Sequence, residues 1–341
     1  MTLVAIDADV LGRERTGDET YVRNLLRELA LLAPAAGIRL AAFTRRPDLV
    51  PDGVEPVEVL GRSQIIRMAT TLPRVLRRMR ADLVHTQYAL PLRLACPGIV
   101  TVHDLSFERE PELFGLKDRF VFRRAVPSAV RRAMRVLTVS ERTKRDLIEL
   151  YGVAPDRIVV TPNGIDPAFY PSPSDTVSQG SYVLSVGTIQ VRKNQLAALE
   201  AATAAGLPLI VAGPPKDAAL AEELRGRGAR LEGYIEVERL ADLYRGAACL
   251  VQASRFEGFG LPVLEAMASG TPVVSIREPA LQEVAGDAAI FVAENELADG
   301  IREAMRNRGR LSAAGLARAR AFSWSATAKR TLAVYREILG A

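Results

Sequence analysis

The chain has 341 residues, of which 48% are hydrophobic and 25% charged, and its formal net charge is +5. This length predicts two domains of about 150 residues each, and the composition is typical of a folded protein. No apolar run approaches the roughly 20 residues that a bilayer requires, which excludes a transmembrane helix. The segment Met1–Asp7 lacks the features of a signal peptide, so we expect a cytoplasmic protein.

The first half of the chain alternates short apolar segments with amphipathic ones. We expect strands at Leu3–Ile6, Leu40–Phe43, Leu83–His85, Gly98–Val102, Arg135–Val139 and Ile158–Thr161. Helical periodicity separates several of these strands. Because parallel strands need crossover connections, the alternation predicts a parallel sheet that is covered by helices on both faces.

The excess of positive charge lies in this first half. Residues 1–170 contain 26 Lys and Arg against 21 Asp and Glu, whereas residues 171–341 contain 19 of each kind. Two segments supply the excess: Gly61–Arg80 has six arginines and no acid, and Lys117–Arg145 has ten basic residues and two acidic ones. The spacing of apolar residues in the first segment predicts a helix that Pro73 kinks.

These basic segments have two interpretations. The simpler one is a solvated face on a helix whose other face packs on the core. The alternative is a peripheral contact with anionic lipid at the inner face of a membrane. Nucleic acid is a poor candidate, because the segments lack interleaved exposed aromatic residues and no known binding motif accompanies them.

The two cysteines do not indicate a crosslink or a metal site. Cys96 and Cys249 are far apart in sequence, and no histidine pair lies near either of them. This arrangement predicts neither a disulfide framework nor a zinc site. We interpret both as buried structural thiols.

Residues 171–180 lose all periodicity and are rich in turn-forming residues, which predicts an interdomain linker. A second series of strands follows at Tyr182–Val186, Leu207–Ala212, Ala229–Gly233, Cys249–Gln252, Thr271–Ser275 and Ala289–Val292. We therefore expect two doubly wound, Rossmann-like α/β domains over 1–170 and 171–322. Since ligands of open parallel sheets bind at the carboxyl ends of strands, we expect the site in a cleft between the domains.

The strongest chemical signal is a pair of glutamates, Glu257 and Glu265, eight positions apart. Between them lies a turn with Gly258 and Gly260, and a helix is predicted to begin near Leu261. Glycines let the backbone approach a ligand, and the N–H groups of a helix N-terminus attract an anion. Carboxylates accept hydrogen bonds from hydroxyls, so Glu265 suits ribose hydroxyls and Glu257 suits the hydroxyls of a sugar. The pattern predicts an activated sugar that is bound through its phosphates. The alternative is a strand-loop-helix unit with two solvated glutamates, which needs no ligand.

This segment closely resembles the E-x7-E signature of retaining glycosyltransferases of family 4, which have the GT-B fold. The resemblance runs from Asp7 to the last helix, and within the family the matching segments look most like those of bacterial mannosyltransferases of surface polysaccharides. It implies a metal-independent hexosyltransferase whose two Rossmann-like domains face a central cleft. It also implies that the helix at 323–341, with Ser323 as its N-cap, joins the first domain.

A second segment, Gly187–Asn194, resembles the Gly-Thr-x-x-x-Arg-Lys-Asn segment of the same family. The resemblance implies that Arg192 and Lys193 bind the diphosphate. Two fixed cations could stabilise the charge of this leaving group without a metal ion. Asp7 and Asp9 spell an Asp-x-Asp pattern, but they end a strand of a fold that normally needs no metal, so we predict no metal there and no cofactor.

His103 ends a predicted strand and matches the strand-end His-Asp of the family, which implies contact with the sugar. We expect Asp104 to hold its ring or backbone. His85, at the end of another strand, is the second choice and needs only to cap that strand.

The remaining residues implied by the resemblance contact the nucleotide or sugar largely through the backbone. Gly233 to Ile235 open the loop where relatives bind the nucleobase, and Gly17 occupies the place of a glycine loop near the acceptor. For each of these, an ordinary turn is the alternative. The full implied set comprises His103, Arg192, Lys193 and Glu257 for the chemistry, and Gly17, Gly187, Gly233, Tyr234, Ile235, Gly258, Phe259, Gly260, Leu261 and Glu265 for binding.

The reaction implied is transfer of a hexose from a nucleotide diphosphate sugar to an acceptor hydroxyl with retention of configuration. GDP-mannose is the preferred donor, with UDP-glucose and dTDP-rhamnose open, and the acceptor is a glycan, a lipid-linked glycan or a small molecule. No carboxylate is identified as a nucleophile, so a same-face displacement is expected. Two rivals stay open: a GT-B epimerase, which usually needs more acid and base groups, and a non-catalytic sugar-binding protein, which has little need of paired cations.

Overall fold

A computed structural model describes residues 1–13, 16–59, 66–171 and 180–340. The chain divides into two compact units, Met1–Gly164 with Trp324–Ala341, and Ile165–Ser323. The first unit therefore includes the last helix of the sequence. The predicted linker lies, for residues 172–179, outside the described residues, as do residues 61–65 of the first basic segment and Arg15 of the predicted glycine loop.

The first unit contains a parallel sheet, which has seven strands within the described residues. In chain order these are β1 (Thr2–Asp7), β2 (Ile38–Thr44), β3 (Val54–Glu58), β4 (Leu83–Gln87), β5 (Gly98–Val102), β6 (Arg135–Thr138) and β7 (Ile158–Val160). Their order across the sheet is β3-β2-β1-β4-β5-β6-β7. The strands at the centre are buried along their length, because helices cover both faces.

The helices of this unit connect the strands. They are α1 (Thr16–Leu32), α2 (Leu72–Met79), α3 (Ser106–Arg109), α4 (Leu116–Arg132), α5 (Glu141–Tyr151) and the last helix, numbered α13 (Trp324–Leu339). The helix predicted around Pro73 is irregular, but the irregularity precedes the proline. A π-helical turn spans Arg67–Thr71, and Pro73 lies in the first turn of α2, where a missing N–H is tolerated.

The second unit repeats the architecture with a parallel sheet, six-stranded within the described residues. Its strands are β8 (Val183–Val186), β9 (Leu209–Ala212), β10 (Arg230–Gly233), β11 (Cys249–Gln252), β12 (Val273–Ile276) and β13 (Ile290–Val292). Their order is β10-β9-β8-β11-β12-β13. The helices are α6 (Gln195–Ala204), α7 (Ala218–Gly226), α8 (Val237–Gly246), α9 (Leu261–Ala268), α10 (Pro279–Ala285), α11 (Leu297–Arg306) and α12 (Arg308–Ala319). The prediction of two doubly wound α/β domains is confirmed.

One strand was missed, and two expectations about local structure were wrong. Strand β3 was not predicted, because Pro56 and the exposed Glu55 and Glu58 obscure the pattern of an edge strand. Gly17 was expected in a loop, but α1 begins at Thr16, so Gly17 lies in its first turn. Cys249 is buried as expected, whereas Cys96 is partly exposed.

The helix α13 packs against the first unit through its buried face. Tyr335 is fully buried, and its hydroxyl lies 2.6 Å from Nδ1 of His85, whose Nε2 lies 2.7 Å from Oγ1 of Thr101. Burial lowers the pKa of His85 to about 3, so the ring is neutral at physiological pH. His85 thus ties two central strands to the last helix, rather than capping a strand. None of the helices in the described part of the chain is long and apolar enough to cross a membrane.

Candidate active site

The order of strands in the second sheet reverses between β8 and β11. The connections that leave these two neighbours run in opposite directions, which opens a crevice at their carboxyl ends. The loop after β8 begins at Gly187 and contains a 3-10 turn at Val191–Lys193. The loop after β11 leads through Glu257 to the helix α9. Strand order therefore brings the two segments singled out from the sequence to one place.

Glu257 lies between the two cations that follow β8. Its Oε1 accepts a hydrogen bond from Nζ of Lys193 at 2.5 Å, and its Oε2 lies 3.4 Å from Nη1 of Arg192. Arg192 also donates to the backbone carbonyl of Phe256. Burial alone would raise the pKa of Glu257, but Lys193 and Arg192 lower it to about 2. The carboxylate is charged at neutral pH, and it is shared by two cations.

A buried amide holds the same carboxylate from the strand. Nε2 of Gln252, the last residue of β11, donates to Oε1 of Glu257 and to Oγ of Ser254, each at 2.8 Å. Sequence reasoning assigned no role to Gln252 or Ser254. The signal available was an uncharged polar residue at the end of an otherwise apolar buried strand, five positions before Glu257.

Two glycines let the segment that contains Arg192 and Lys193 lie close to the sheet. Gly187 has φ +133°, and a Cβ there would lie 3.3 Å from Cε of Lys193. A Cβ on Gly213, at the end of β9, would lie 2.1 Å from the carbonyl oxygen of Gly187. Both positions therefore require glycine.

The glycine turn before α9 has the predicted form. Gly260 is the N-cap with φ +109°, the helix starts at Leu261, and a Cβ on Gly260 would lie 2.6 Å from Leu281. Gly258 is buried. The ring of Phe259 is buried and packs edge-on against Phe322 at 5.9 Å between centroids. A ligand at this turn would therefore meet backbone groups rather than the ring of Phe259.

Glu265 lies within α9 and has a different environment from Glu257. It is 9% exposed, and its Oε2 accepts a hydrogen bond from the hydroxyl of Tyr244 at 2.8 Å. Burial is the main cause that raises the pKa of Glu265 to about 7; the Tyr244 hydroxyl opposes it and the charge of Asp166 adds to it. Neither Tyr244 nor Asp166 was identified from the sequence.

The predicted nucleobase loop begins at the end of β10. Gly233 has φ +69°, and its carbonyl accepts a hydrogen bond from the backbone N–H of Gly213 at 2.8 Å. Tyr234 is exposed and Ile235 partly exposed. Recognition of the base by this loop stays a prediction.

His103 belongs to the first unit and is buried at the end of β5. Its Nε2 lies 3.0 Å from Oε1 of Gln87, and its ring meets the ring of Tyr21 edge-on at 4.7 Å. Burial lowers the pKa of His103. We expected Asp104 to hold the ring or the backbone of His103, but Oδ1 of Asp104 accepts from the backbone and the hydroxyl of Ser106. The ring partner is Gln87, and the backbone carbonyl of His103 accepts from Oγ1 of Thr143.

The Asp-x-Asp segment at the end of β1 is neutralised by arginines. Asp9 is paired with Arg13, Arg45 and Arg67, and Arg67 also lies 3.3 Å from Asp7. A cation at this place would have to displace guanidinium groups. In the part of the chain that the structure describes, no group of three or more His, Cys, Asp or Glu residues is placed to hold a metal ion.

Comparison with known proteins gives matches to both halves of the chain. Residues 15–169 match Glycosyltransferase Family 4, and residues 170–320 match Glycosyl transferases group 1. The O-antigen chain mannosyltransferase B of Escherichia coli is 33% identical over 73% of this chain and 72% of that protein. The D-inositol 3-phosphate glycosyltransferase of Acidothermus cellulolyticus is 28% identical over 99% of this chain and 90% of its own. The sucrose-phosphate synthase of Thermosynechococcus elongatus shares the fold, with a TM-score of 0.79 at 20% identity and full coverage of both chains.

Proposed function

Because this chain belongs to the glycosyltransferases of family 4, we propose that it transfers mannose from GDP-mannose to an acceptor hydroxyl with retention of the anomeric configuration. Membership of the family favours a glycosyltransferase over an epimerase or a sugar-binding protein without activity. The observation that carries the proposal is the cluster of Arg192, Lys193 and Glu257 at the crevice of the second sheet.

The cluster suits a diphosphate leaving group. When the bond between C1 of the sugar and the phosphate oxygen breaks, negative charge develops on the diphosphate. Arg192 and Lys193 are held in place before the reaction, so they can stabilise that charge with little reorganisation. Their charge of +2 exceeds the −1 of Glu257, and the crevice therefore favours an anion.

The low pKa and the hydrogen bonds of Glu257 favour a same-face displacement. A carboxylate with a pKa of about 2 that is bonded to Lys193 and Gln252 is a weak base and a poorly exposed nucleophile. We propose that it orients sugar hydroxyls. The acceptor oxygen then forms its bond to C1 on the face that the diphosphate leaves, and the acceptor proton passes to the departing phosphate oxygen. No residue of the protein has to change its protonation state in this sequence.

The donor and acceptor are proposed from relatives. The Escherichia coli protein that is 33% identical is named as an O-antigen chain mannosyltransferase, which supports mannose and a growing glycan as acceptor. UDP-glucose and dTDP-rhamnose are the alternative donors. Another relative is named as a D-inositol 3-phosphate glycosyltransferase, so a small-molecule acceptor is the alternative.

A peripheral membrane contact is proposed for the start of α4. Leu116 and Phe120 lie one turn apart and are 85% and 59% exposed, and the guanidinium of Arg124 lies 4.4 Å from the centre of the Phe120 ring. Exposed apolar side chains beside cations are typical of a helix that rests on anionic lipid. We expect the protein to co-float with phosphatidylglycerol vesicles, and Leu116→Ser with Phe120→Ser to reduce co-flotation. Equal recovery without vesicles would overturn this contact.

The test of the function is calorimetry with GDP-mannose, UDP-glucose and dTDP-rhamnose in the presence of a chelator. We expect GDP-mannose to bind most tightly, and nuclear magnetic resonance of the product formed with a mannose-containing glycan to show the anomer of the donor. Preferential binding of another donor would overturn the choice of mannose, and an inverted anomer would overturn the mechanism.

A further inference from the structure

The second glutamate of the site is held by a buried tyrosine. Tyr244 lies on α8 and is 0% exposed, and its hydroxyl donates to Oε2 of Glu265 on α9 at 2.8 Å. Glu265 is itself 9% exposed. Since both side chains are enclosed, this hydrogen bond fixes the plane and the rotamer of the carboxylate.

Tyr244 is in turn fixed by its surroundings. Its backbone carbonyl accepts a hydrogen bond from Oγ1 of Thr271 at 2.6 Å, which ties α8 to the loop that follows α9. Its ring meets the ring of Phe169 edge-on at 5.7 Å between centroids. The position of the hydroxyl is therefore set by both the backbone and the ring.

We infer that Tyr244 is a positioning residue of the donor site: its hydroxyl occupies Oε2 of Glu265 and thereby directs Oε1 toward the ribose hydroxyls of the nucleotide sugar. This inference rests on the proposed function and deepens it. The hydroxyl of Tyr244 donates to Oε2 of this carboxylate. A carboxylate with one oxygen occupied presents the other in a single direction, which suits the fixed spacing of two neighbouring hydroxyls.

The electrostatic surroundings give Tyr244 a second effect. Among the described residues, the titratable groups that act on Glu265 are Tyr244, which lowers its pKa, and Asp166, which raises it. A hydroxyl bonds more strongly to a charged carboxylate than to a neutral acid. Loss of the tyrosine hydroxyl should therefore leave Glu265 protonated up to a higher pH and weaken donor binding near neutrality.

The experiment compares Tyr244→Phe with two other variants. Asp166→Asn removes the neighbouring charge and should act in the opposite direction. Tyr335→Phe is the matched control, because it removes an equally buried hydroxyl that is hydrogen-bonded to His85 in the other unit. Carbon NMR of labelled glutamate, assigned with Glu265→Gln, follows the titration of Glu265 without ligand. Calorimetry across the same pH range follows the affinity for GDP-mannose, UDP-glucose and dTDP-rhamnose.

We expect Tyr244→Phe to raise the titration midpoint of Glu265 and to weaken binding of the preferred donor about tenfold at neutral pH, with a smaller loss at alkaline pH. Asp166→Asn should lower the midpoint and tighten binding, and Tyr335→Phe should change neither. A tyrosine that serves only to fill the core would not shift the pH profile.

The two readouts separate the inference from the function it rests on. An unchanged midpoint in Tyr244→Phe and Asp166→Asn overturns the inference, whether or not a donor binds. Shifted midpoints with unchanged donor affinity overturn the role of Glu265 in the donor site. If the midpoints shift but the unaltered protein binds none of the three nucleotide sugars, the proposed function fails instead.

Discussion

The loop before α9 and the interior of α9 each carry one buried glutamate of the same motif, yet the pKa values of the two are shifted in opposite directions. Glu257 is 7% exposed and its pKa is lowered to about 2; Glu265 is 9% exposed and its pKa is raised to about 7. Burial raises both values. The difference comes from the partners: two cations bond to Glu257, whereas Glu265 has a neutral hydroxyl as its hydrogen-bond partner and feels the like charge of Asp166. Burial therefore decides the pKa of Glu265, whereas at Glu257 the two cations outweigh it.

The two glutamates are therefore expected to have different roles in the site. Glu257 is charged at neutral pH and bonds to the cations that we propose for the diphosphate. Glu265 titrates close to physiological pH, so its charge depends on what binds beside it. The motif therefore combines a carboxylate that is charged at neutral pH with one whose charge changes near pH 7.

The largest effect should follow from breaking the cation cluster. Lys193→Ala removes one of the two charges that we propose for the leaving group, and it removes the closest cationic partner of Glu257. We expect turnover with the preferred donor to fall by about 10²–10³-fold, the cost typical of losing one prearranged donor to a developing anion. Lys329→Ala, which changes an exposed lysine on α13, is the control. Turnover within twofold of the unaltered protein would remove Lys193 from the chemistry.

The two carboxylates should also give opposite dependences of stability on pH. Glu257 has a folded pKa below its ordinary value of 4.5, so its contribution is present above pH 4.5 and is lost as pH falls toward about 2. Glu265 has a raised pKa, so its contribution is present below pH 4.5 and is lost as pH rises through about 7. For Glu265 the change is on the order of 3 kcal/mol.

The measurement is urea unfolding of the unaltered chain, Glu257→Gln and Glu265→Gln at several pH values. Relative to the unaltered chain, Glu265→Gln should gain stability between pH 4.5 and 7, and Glu257→Gln should gain it only below pH 4.5. Parallel curves for the two variants would show that the pair does not differ in the folded protein.

A smaller effect should show whether Glu257 competes with the diphosphate for Lys193 and Arg192. In the described structure Glu257 bonds to both Lys193 and Arg192, so an incoming diphosphate must share these cations with it. Glu257→Gln removes the competing charge, and we expect GDP to bind about tenfold more tightly while turnover falls. Calorimetry and steady-state rates test the two parts. Weaker GDP binding would mean that Glu257 assembles the phosphate site instead of competing for it.

The sequence predicted those features that depend on local chemistry. Gly260 and the helix start at Leu261 were predictable because a turn with positive φ requires glycine and a helix end follows it. The two doubly wound domains followed from the alternation of strands and helices. The π-helical turn at Arg67–Thr71 could not be predicted, because the proline that suggested a kink lies beyond it.

The sequence could not predict contacts that depend on strand order. Lys193 and Glu257 are 64 positions apart and meet because β8 and β11 are neighbours in the sheet. The same holds for Tyr244 and Glu265, which lie on adjacent helices. Asp104 was expected to hold the ring or backbone of His103 from the strand-end His-Asp of the family, but Gln87 at the end of the neighbouring strand β4 bonds to the ring instead.

The hydrogen bond between His85 and Tyr335 has a consequence for how the protein is made. The first unit of the fold is completed by α13, which the ribosome synthesises only after the whole of the second unit. His85 and the helix α1 therefore lack their partners on α13 while about half of the chain is still being translated. Domain-by-domain folding from the N-terminus, the usual route for proteins of this size, cannot finish the first unit here. A premature stop before Trp324 would damage the half of the protein that was made first.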